Sequence, residues 1–134
     1  MASEYTYVIH CFDDLSVGMV DNGTRFGGSS LRIGNYTEHK EWQAITNDPT
    51  SAHYIKKICA GPLESEDGKF MIGSCIIVQA TREKVDAFVQ QDPFFIKKVW
   101  KDISITRYIA PNGIKAMTAE MENDDRSTLH MAFN

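Results

Sequence analysis

The sequence predicts an α+β fold with an antiparallel sheet, because strand-like and helix-like segments follow one another in the order β-α-β-β-α-β. Two observations carry this prediction. Four short runs are rich in β-branched and aromatic residues, and the segments between them carry helix start signals and apolar stripes. The chain has 134 residues, which is the size of a single domain.

The first half of the chain contains a strand, a long irregular segment and a helix. Tyr5 to Phe12 is predicted as a strand, and neither of its two faces is clearly polar. Residues 13–36 are dominated by turn residues and hold no period, so they are interpreted as an inserted loop. A substrate lid is favoured for this loop, and a disordered insert is the alternative. Thr37 to Thr46 is predicted as a short helix with Thr37 as its N-cap.

The second half supplies the remaining elements, each bounded by Gly, Pro, Asp or Thr. In chain order we expect a strand at His53–Ala60 closed by Gly61-Pro62, a strand at Phe70–Ala80, a helix from Thr81 to about Gln91, a short helix starting at Asp92-Pro93, and a strand at Asp102–Ile109.

This element order is that of ferredoxin-like domains. Helices cover one face of such a sheet, and strands that are apolar on both faces need a second cover. A second copy of the chain, packed sheet against sheet, is the economical cover, so a homodimer enclosing a cavity is predicted. Residues 110–134 form a C-terminal extension that ends in an acidic run.

Composition and charge exclude several classes of protein. The 14 Lys and Arg against 18 Asp and Glu give a net charge of −4, which lacks the basic footprint of a nucleic-acid or anionic-membrane binder. No apolar run is long enough to span a membrane, and the N-terminus has no secretory signal pattern, so a cytoplasmic location is expected. Cys11, Cys59 and Cys75 are expected to be reduced, buried thiols.

The familiar cofactor and metal motifs are absent from the sequence. None of the four histidines lies at tight ligand spacing from another His, Cys or carboxylate, so no metal site is predicted. Gly27-Gly28-Ser29-Ser30 matches neither the dinucleotide fingerprint nor the phosphate-binding loop. No cofactor is expected.

Acid–base chemistry is the class that remains, and each of its candidates also has a purely structural explanation. His39 lies near the start of the predicted helix, where it is either a proton shuttle or a surface residue. Asp92 stands before Pro93 and suits a helix N-cap equally well. Ser74 follows Gly73 in an apolar strand and is otherwise a small residue in a tight place. His10, in the first strand, is otherwise a satisfied core histidine.

A resemblance to a known family rests on several motifs in fixed order: the A-G-P-L turn at Ala60, the G-S pair at Ser74, F-V-Q-Q-D-P-F around Asp92, and the V-W-K-D-I-S-I-T-R strand. The opening Y-V-I-H-C-F-D-D fits as well. Together these stretches resemble the YciI-like family, over about three quarters of the chain. The resemblance implies a dimeric α+β barrel with a ferredoxin-like fold. The whole chain is then one YciI-like domain with the insertion 13–36 and the extension 110–134.

The resemblance also implies a catalytic site, made of a His–Asp pair with a nearby serine by the dimer interface. The family aspartate corresponds to Asp92 and the serine to Ser74. His39 occupies the place of the family histidine, with His53 as its rival. Tyr36 stands where the family has an arginine, and Arg32 upstream is the candidate substitute.

The function that the resemblance implies is that of a small cofactor-free lyase, isomerase or cyclase acting on a hydroxylated aromatic or polyketide-like molecule. Two alternatives stay open, a non-catalytic small-molecule-binding or accessory dimer and a cofactorless or haem-linked oxygenase of the same barrel class. Aromatic side chains suit a flat apolar ligand. The residues expected to bind the substrate are Tyr7, His10, Arg32, Trp42, Phe94, Trp100 and Arg107.

Overall fold

The computed structural model describes residues 2–23 and 26–109, and within them the chain has the predicted α+β fold. The predicted C-terminal extension 110–134 lies outside the described residues. The strands are β1 (Tyr5–Asp13), β2 (Met19–Val20), β3 (Gly27–Ser29), β4 (Lys56–Glu64), β5 (Phe70–Ala80) and β6 (Trp100–Arg107). The α-helices are α1 (Ser30–Gly34), α2 (Tyr36–Asn47), α3 (Arg82–Gln90) and α4 (Pro93–Ile96).

The sheet has β1 at its centre, antiparallel to β5 on one side and to β6 on the other. β4 lies antiparallel along the other edge of β5. The order β1-α2-β4-β5-α3-β6 is therefore the predicted ferredoxin-like β-α-β-β-α-β. The sheet is not purely antiparallel as predicted, because β3 pairs in parallel with the start of β5 and β2 pairs with β3.

The segment 13–36 is not the irregular loop that the sequence predicts. It folds into a short 3-10 helix at Leu15–Val17, followed by β2, β3 and α1. The Ser29 side chain caps α1 by accepting a hydrogen bond from the Arg32 backbone N–H, at 3.1 Å. The strands of this segment lengthen the sheet edge beside Phe70 and Met71 of β5. Such short elements have no period of their own and depend on the sheet they join, which is why the pattern missed them.

Several predicted boundaries are shifted. The second strand runs from Lys56 to Glu64 and passes through Gly61-Pro62, which the sequence places at its end. Proline is tolerated there because β4 pairs with β5 alone among the described strands, and proline within sheets is found on such edge strands. The first predicted helix corresponds to α2, which begins at Tyr36, one residue before Thr37. The prediction of Thr37 as its N-cap is therefore wrong.

Other boundaries agree with the prediction. β5 has the predicted bounds, and Thr81 caps α3 by accepting a hydrogen bond from the Lys84 backbone N–H. The bounds of the last strand differ from the prediction, because it begins at Trp100 rather than Asp102 and ends at Arg107 rather than Ile109.

The core lies between the helices and one face of the sheet. Along β1 the odd-numbered side chains from Tyr7 to Asp13 are buried, and the even-numbered ones are more exposed. On the opposite sheet face Phe12 is 43% exposed, so this face has no cover from the described part of one chain. The homodimer that would cover it stays a prediction. No α-helix in the described ranges has the length and apolar character needed to cross a membrane.

The three cysteines all lie in strands as free thiols, but their burial differs. Cys11 is fully buried, and burial raises the pKa of its thiol to about 12. Cys59 is exposed, so the prediction of a buried thiol is wrong there. Its strand β4 lies at the edge of the described sheet.

Candidate active site

Helix α2 and the N-terminal cap of α4 bring His39 and Asp92 together. His39 Nδ1 lies 2.8 Å from Asp92 Oδ1, with 13% of the histidine side chain and 1% of the aspartate side chain exposed. Asp92 Oδ1 also accepts a hydrogen bond from the Phe94 backbone N–H at 2.9 Å. The aspartate is therefore the N-cap of α4 and the partner of His39 at once.

This contact determines which nitrogen of His39 is left for chemistry. An ionised carboxylate only accepts hydrogen bonds, so Nδ1 carries the proton and Nε2 keeps its lone pair. The imidazole ring is held in place by Phe94, on which it stacks with 3.9 Å between ring centroids, and by Trp100 at its edge. A base that is oriented by packing and by a carboxylate is the arrangement used for general acid–base work.

Gln43 is a member of this cluster that the sequence prediction missed. Its Nε2 donates a hydrogen bond to Asp92 Oδ2 at 3.1 Å. Gln43 lies one turn after His39 on α2, so both side chains project toward the same carboxylate. That i,i+4 spacing was visible in the sequence, but glutamine on a helix is too common to single out.

Ser74 lies in β5, and its hydroxyl oxygen accepts two hydrogen bonds. Its Oγ accepts hydrogen bonds from Arg32 Nη2 at 2.8 Å and from Trp100 Nε1 at 3.3 Å. The hydroxyl proton is therefore left to donate to a further group. The preceding Gly73 is required by packing, since a Cβ there would overlap the backbone carbonyl oxygen of Cys11.

Arg32 is buried behind Ser74 and paired with Asp13. Its Nε and Nη2 donate to the two oxygens of Asp13 at 2.6 and 3.2 Å, and the side-chain exposures are 2% and 0%. Nη2 also reaches the Gly73 carbonyl oxygen at 2.8 Å, and the guanidinium lies 4.7 Å from the Phe94 ring centroid. Burial raises the pKa of Asp13, and the Arg32 hydrogen bonds oppose this rise. Sequence reasoning missed Asp13 because its partner is 19 positions away.

A cavity of about 250 Å³ opens beside this cluster, between one face of α2 and the strands β4 and β5. Ser74 and His39 lie in its wall, whereas Arg32, Asp92, Phe94 and Trp100 stand behind them. The lining residues are Tyr36, His39, Lys40, Gln43, Asn47, Lys57, Ala60, Gly61, Pro62, Met71, Ser74 and Ile76. The arrangement offers a base and a hydroxyl donor to one small ligand.

Lys57 is a half-buried ammonium in the cavity wall, and it is another residue that the sequence prediction missed. Its Nζ donates to Thr46 Oγ1 at 2.7 Å, to Asn47 Oδ1 at 2.6 Å and to the Gln43 carbonyl oxygen at 3.3 Å. Burial lowers the pKa of Lys57 to about 8, and the charge of Asp92 opposes this.

Four of the predicted binding residues lie apart from the cavity. Tyr7 and Arg107 are paired at the far end of β1, where the Arg107 guanidinium lies 3.5 Å from the Tyr5 ring centroid. His10 contacts the Phe12 ring on the open sheet face. The ring of Trp42 packs on Phe88, and its Nε1 donates to the Phe88 carbonyl oxygen.

The rival histidine, His53, lies in a different place from the dyad. Its ring centroid is 5.3 Å from that of Trp42, and both residues line a second cavity of about 110 Å³ between α2 and α3. The histidine that contacts Asp92 is His39. Within residues 2–23 and 26–109, no three His, Cys, Asp or Glu side chains are grouped to hold a metal ion.

Comparison with solved structures supports the fold. The chain is similar in structure to 5-chloro-2-hydroxyhydroquinone dehydrochlorinase from Burkholderia phenoliruptrix AC1100, solved in complex with 2,5-dihydroxybenzoquinone. The TM-score is 0.56 and the identity 23%, over 80% of this chain and 96% of that one. The match supports the predicted ferredoxin-like, α+β barrel type of fold. No protein-family model and no curated protein matches the sequence.

Proposed function

We propose that this chain is a cofactor-free acid–base enzyme, a lyase, isomerase or cyclase of the YciI-like family, acting on a hydroxylated aromatic or polyketide-like molecule. The observation that carries the proposal is the 2.8 Å contact between His39 Nδ1 and Asp92 Oδ1, with His39 and Ser74 in the wall of one cavity. Such a base with a fixed tautomer is suited to removing a proton from a ring hydroxyl or from a carbon beside a carbonyl.

The proposed proton transfer assigns one task to each of three residues. Nε2 of His39 takes the substrate proton, and the charge that forms on the imidazole is stabilised by the Asp92 carboxylate. Negative charge then develops on a substrate oxygen, and the Ser74 hydroxyl donates a hydrogen bond to it. Because Ser74 Oγ accepts hydrogen bonds from Arg32 and Trp100, its own proton is oriented toward other acceptors.

The size of the cavity and the structural neighbour support a single-ring substrate. A dry cavity of about 150 Å³ is known to hold benzene, so about 250 Å³ accommodates one ring with its substituents. The similar dehydrochlorinase is named for a hydroxylated ring and was solved with a hydroxyquinone. Elimination or isomerisation on such a ring needs the proton transfer that His39 and Asp92 would provide.

The experiment that tests this function is a substrate screen of phenols, hydroquinones and β-dicarbonyls in deuterated water, followed by NMR. A true substrate exchanges a carbon-bound proton or forms product in the presence of the protein. A ligand that binds and stays unchanged over long incubation contradicts the enzyme and favours a binding dimer.

Variants then test the dyad on that substrate. His39→Ala and Asp92→Ala are each expected to lower turnover by about 10² to 10⁴, because general acid–base catalysis contributes that much. His53→Ala is the matched control and keeps wild-type turnover, because its ring packs on Trp42 rather than near Asp92. Full activity in both dyad variants would remove the mechanism.

The open sheet face supports the homodimer that we propose alongside this function. Phe12 is exposed on that face beside the half-buried Val8 and Ile77, and burying them against a second sheet is favourable. Phe12→Glu is expected to dissociate the dimer in analytical ultracentrifugation. A wild-type chain that sediments as a monomer at 100-fold the assay concentration contradicts the dimer.

A further inference from the structure

The ammonium of Lys57 is held in the cavity wall, and in the described part of the chain no carboxylate is in ion-pair contact with it. All three of its hydrogen-bond acceptors, on Gln43, Thr46 and Asn47, are neutral oxygens. Within residues 2–23 and 26–109, Lys57 forms no ion pair with a carboxylate. A cation that is partly removed from water and held by neutral dipoles gains from any anion that comes close.

A second lysine of the cavity wall, Lys40, has the same sign of charge. Lys40 lies near its opening, with its Nζ 5.6 Å from the ring centroid of Tyr36. No aspartate or glutamate is among the lining residues in the described part of the chain. Asp92, behind the wall, already accepts hydrogen bonds from His39, Gln43 and the Phe94 backbone.

We propose that the cavity selects a planar organic anion, whose negative oxygen lies on the Lys57 side while its ring reaches His39. This inference rests on the proposed function and names the substrate class more narrowly. The net charge of −4 does not predict such a preference, because it describes the whole chain and not the cavity. The local charge of the cavity is opposite in sign to the charge of the whole chain.

The proposal assigns different tasks to the two ends of the cavity. The Lys57 ammonium contacts the C-terminal end of α2, whereas His39 lies near the start of that helix, so a ring bound along the cavity between them is oriented by its charge. If the negative oxygen of the ligand lies near the Lys57 ammonium, the ring edge on the other side of the ligand faces Nε2 of His39. Such positioning is worth more to a proton transfer than affinity alone.

Two ligands that share the same quinone ring but differ in charge test the preference by calorimetry or fluorescence quenching. In 2,5-dihydroxybenzoquinone each hydroxyl is conjugated to a carbonyl like a carboxylic acid, so the molecule is ionised at pH 7. Its dimethyl ether, 2,5-dimethoxybenzoquinone, cannot ionise. We expect the ionised quinone to bind at least about ten-fold more tightly, which corresponds to one ordinary charge contact. Benzoate serves as a second anion and separates a carboxylate preference from a ring-hydroxyl preference.

Variants assign the preference to the lysines. Lys57→Met is expected to remove most of the difference in affinity between the two quinones while leaving the affinity for the ether unchanged. Lys56→Met is the matched control, because it removes the same charge from the neighbouring position outside the cavity wall. Lys40→Met changes an exposed position and leaves the hydrogen bonds of Lys57 to α2 in place, and it is expected to reduce the affinity ratio in part. This variant tests the charge preference even if Lys57→Met folds poorly.

The outcomes separate this inference from the function on which it rests. Equal affinity for both quinones, no measurable binding of either, or an unchanged ratio in both Lys57→Met and Lys40→Met overturns the anion preference. A His39→Ala chain that binds the ionised quinone selectively supports it. If that selectivity holds while no screened compound is turned over, the anion site stands and the proposed catalysis fails.

Discussion

The buried pair of Asp13 and Arg32 gives the sharpest test of how the site is built. Asp13→Asn keeps the shape of the side chain but removes the charge that faces Nε of Arg32 at 2.6 Å. The guanidinium then stays in a place where its side chain is 2% exposed, with one partner lost. Breaking a buried pair on one side costs about 3 to 5 kcal/mol. We expect a loss near the lower value, since the Gly73 carbonyl and the Ser74 hydroxyl still accept from Nη2.

The double variant Asp13→Leu/Arg32→Met distinguishes positioning from stability. Burial raises the pKa of Asp13 in spite of Arg32, so the ionised pair gains little over apolar side chains of similar volume. The double variant is therefore expected within about 2 kcal/mol of wild type, and less destabilised than the sum of the two single variants. Its turnover falls nevertheless, because Ser74 Oγ has lost its charged donor.

The assay is urea denaturation at pH 7, followed by tryptophan fluorescence, with turnover measured on the same samples. Equal m-values in all variants show that the same folded unit is compared. An Asp13→Asn chain within about 0.5 kcal/mol of wild type would refute the buried pair. A double variant with wild-type turnover would refute the role of Arg32 in orienting Ser74.

Three further predictions concern other residues of the site. Gln43→Leu removes a donor to the dyad carboxylate, which is then held less firmly, so kcat falls about ten-fold with little change in KM. ¹⁵N NMR still shows His39 protonated at Nδ1, because Asp92 is unchanged. Wild-type kcat contradicts the positioning role. Lys57 is expected to make stability depend on pH in the ligand-free protein, because the folded chain releases the Lys57 proton at lower pH than the unfolded chain does. Between pH 8 and 10.5 the free energy of unfolding of wild type, minus that of Lys57→Met, therefore rises by about 1 to 2 kcal/mol, allowing for solvent screening. A difference that stays constant with pH in urea titrations contradicts this. Gly73→Ala is expected to lower the free energy of unfolding by about 2 to 3 kcal/mol in the same titrations, because its Cβ would overlap the backbone of the neighbouring strand. Gly61→Ala is the control, because the space around Gly61 is open. Equal losses in the two variants contradict the close approach at Gly73.

The main fold could be predicted because its strands and helices carry their own local patterns. β5 has the predicted bounds, and the cap on α3 is the predicted Thr81. The elements between residues 13 and 36 could not be predicted, since strands of two or three residues have no period and are held by pairing with β5. The bounds of β4 were missed for a related reason, because Pro62 ends a strand in most contexts but not at a sheet edge.

The residues of the candidate site also differ in whether a local sequence pattern predicts them. His39, Asp92 and Ser74 each stand at a position with a local signal, a helix start, an Asp-Pro pair and a Gly-Ser pair. Their convergence needed the fold, as did the residues that complete it. Gln43 and Lys57 are ordinary surface residue types, and only the packing of α2 against β4 shows that they face a carboxylate and a cavity.

The positions of the arginine and lysine side chains near the cavity differ from what the family resemblance implies for substrate binding. Where the resembling family has an arginine before its histidine, this chain has Tyr36, which lines the cavity as an aromatic wall. Arg32, the candidate substitute, is buried, donates to Asp13 and Ser74 through Nε and Nη2, and is not among the residues of that wall. A ligand charge cannot reach a guanidinium that is already paired and buried. The inferred anion contact therefore falls to Lys57 and Lys40, and Arg32 acts on the substrate only through the Ser74 hydroxyl.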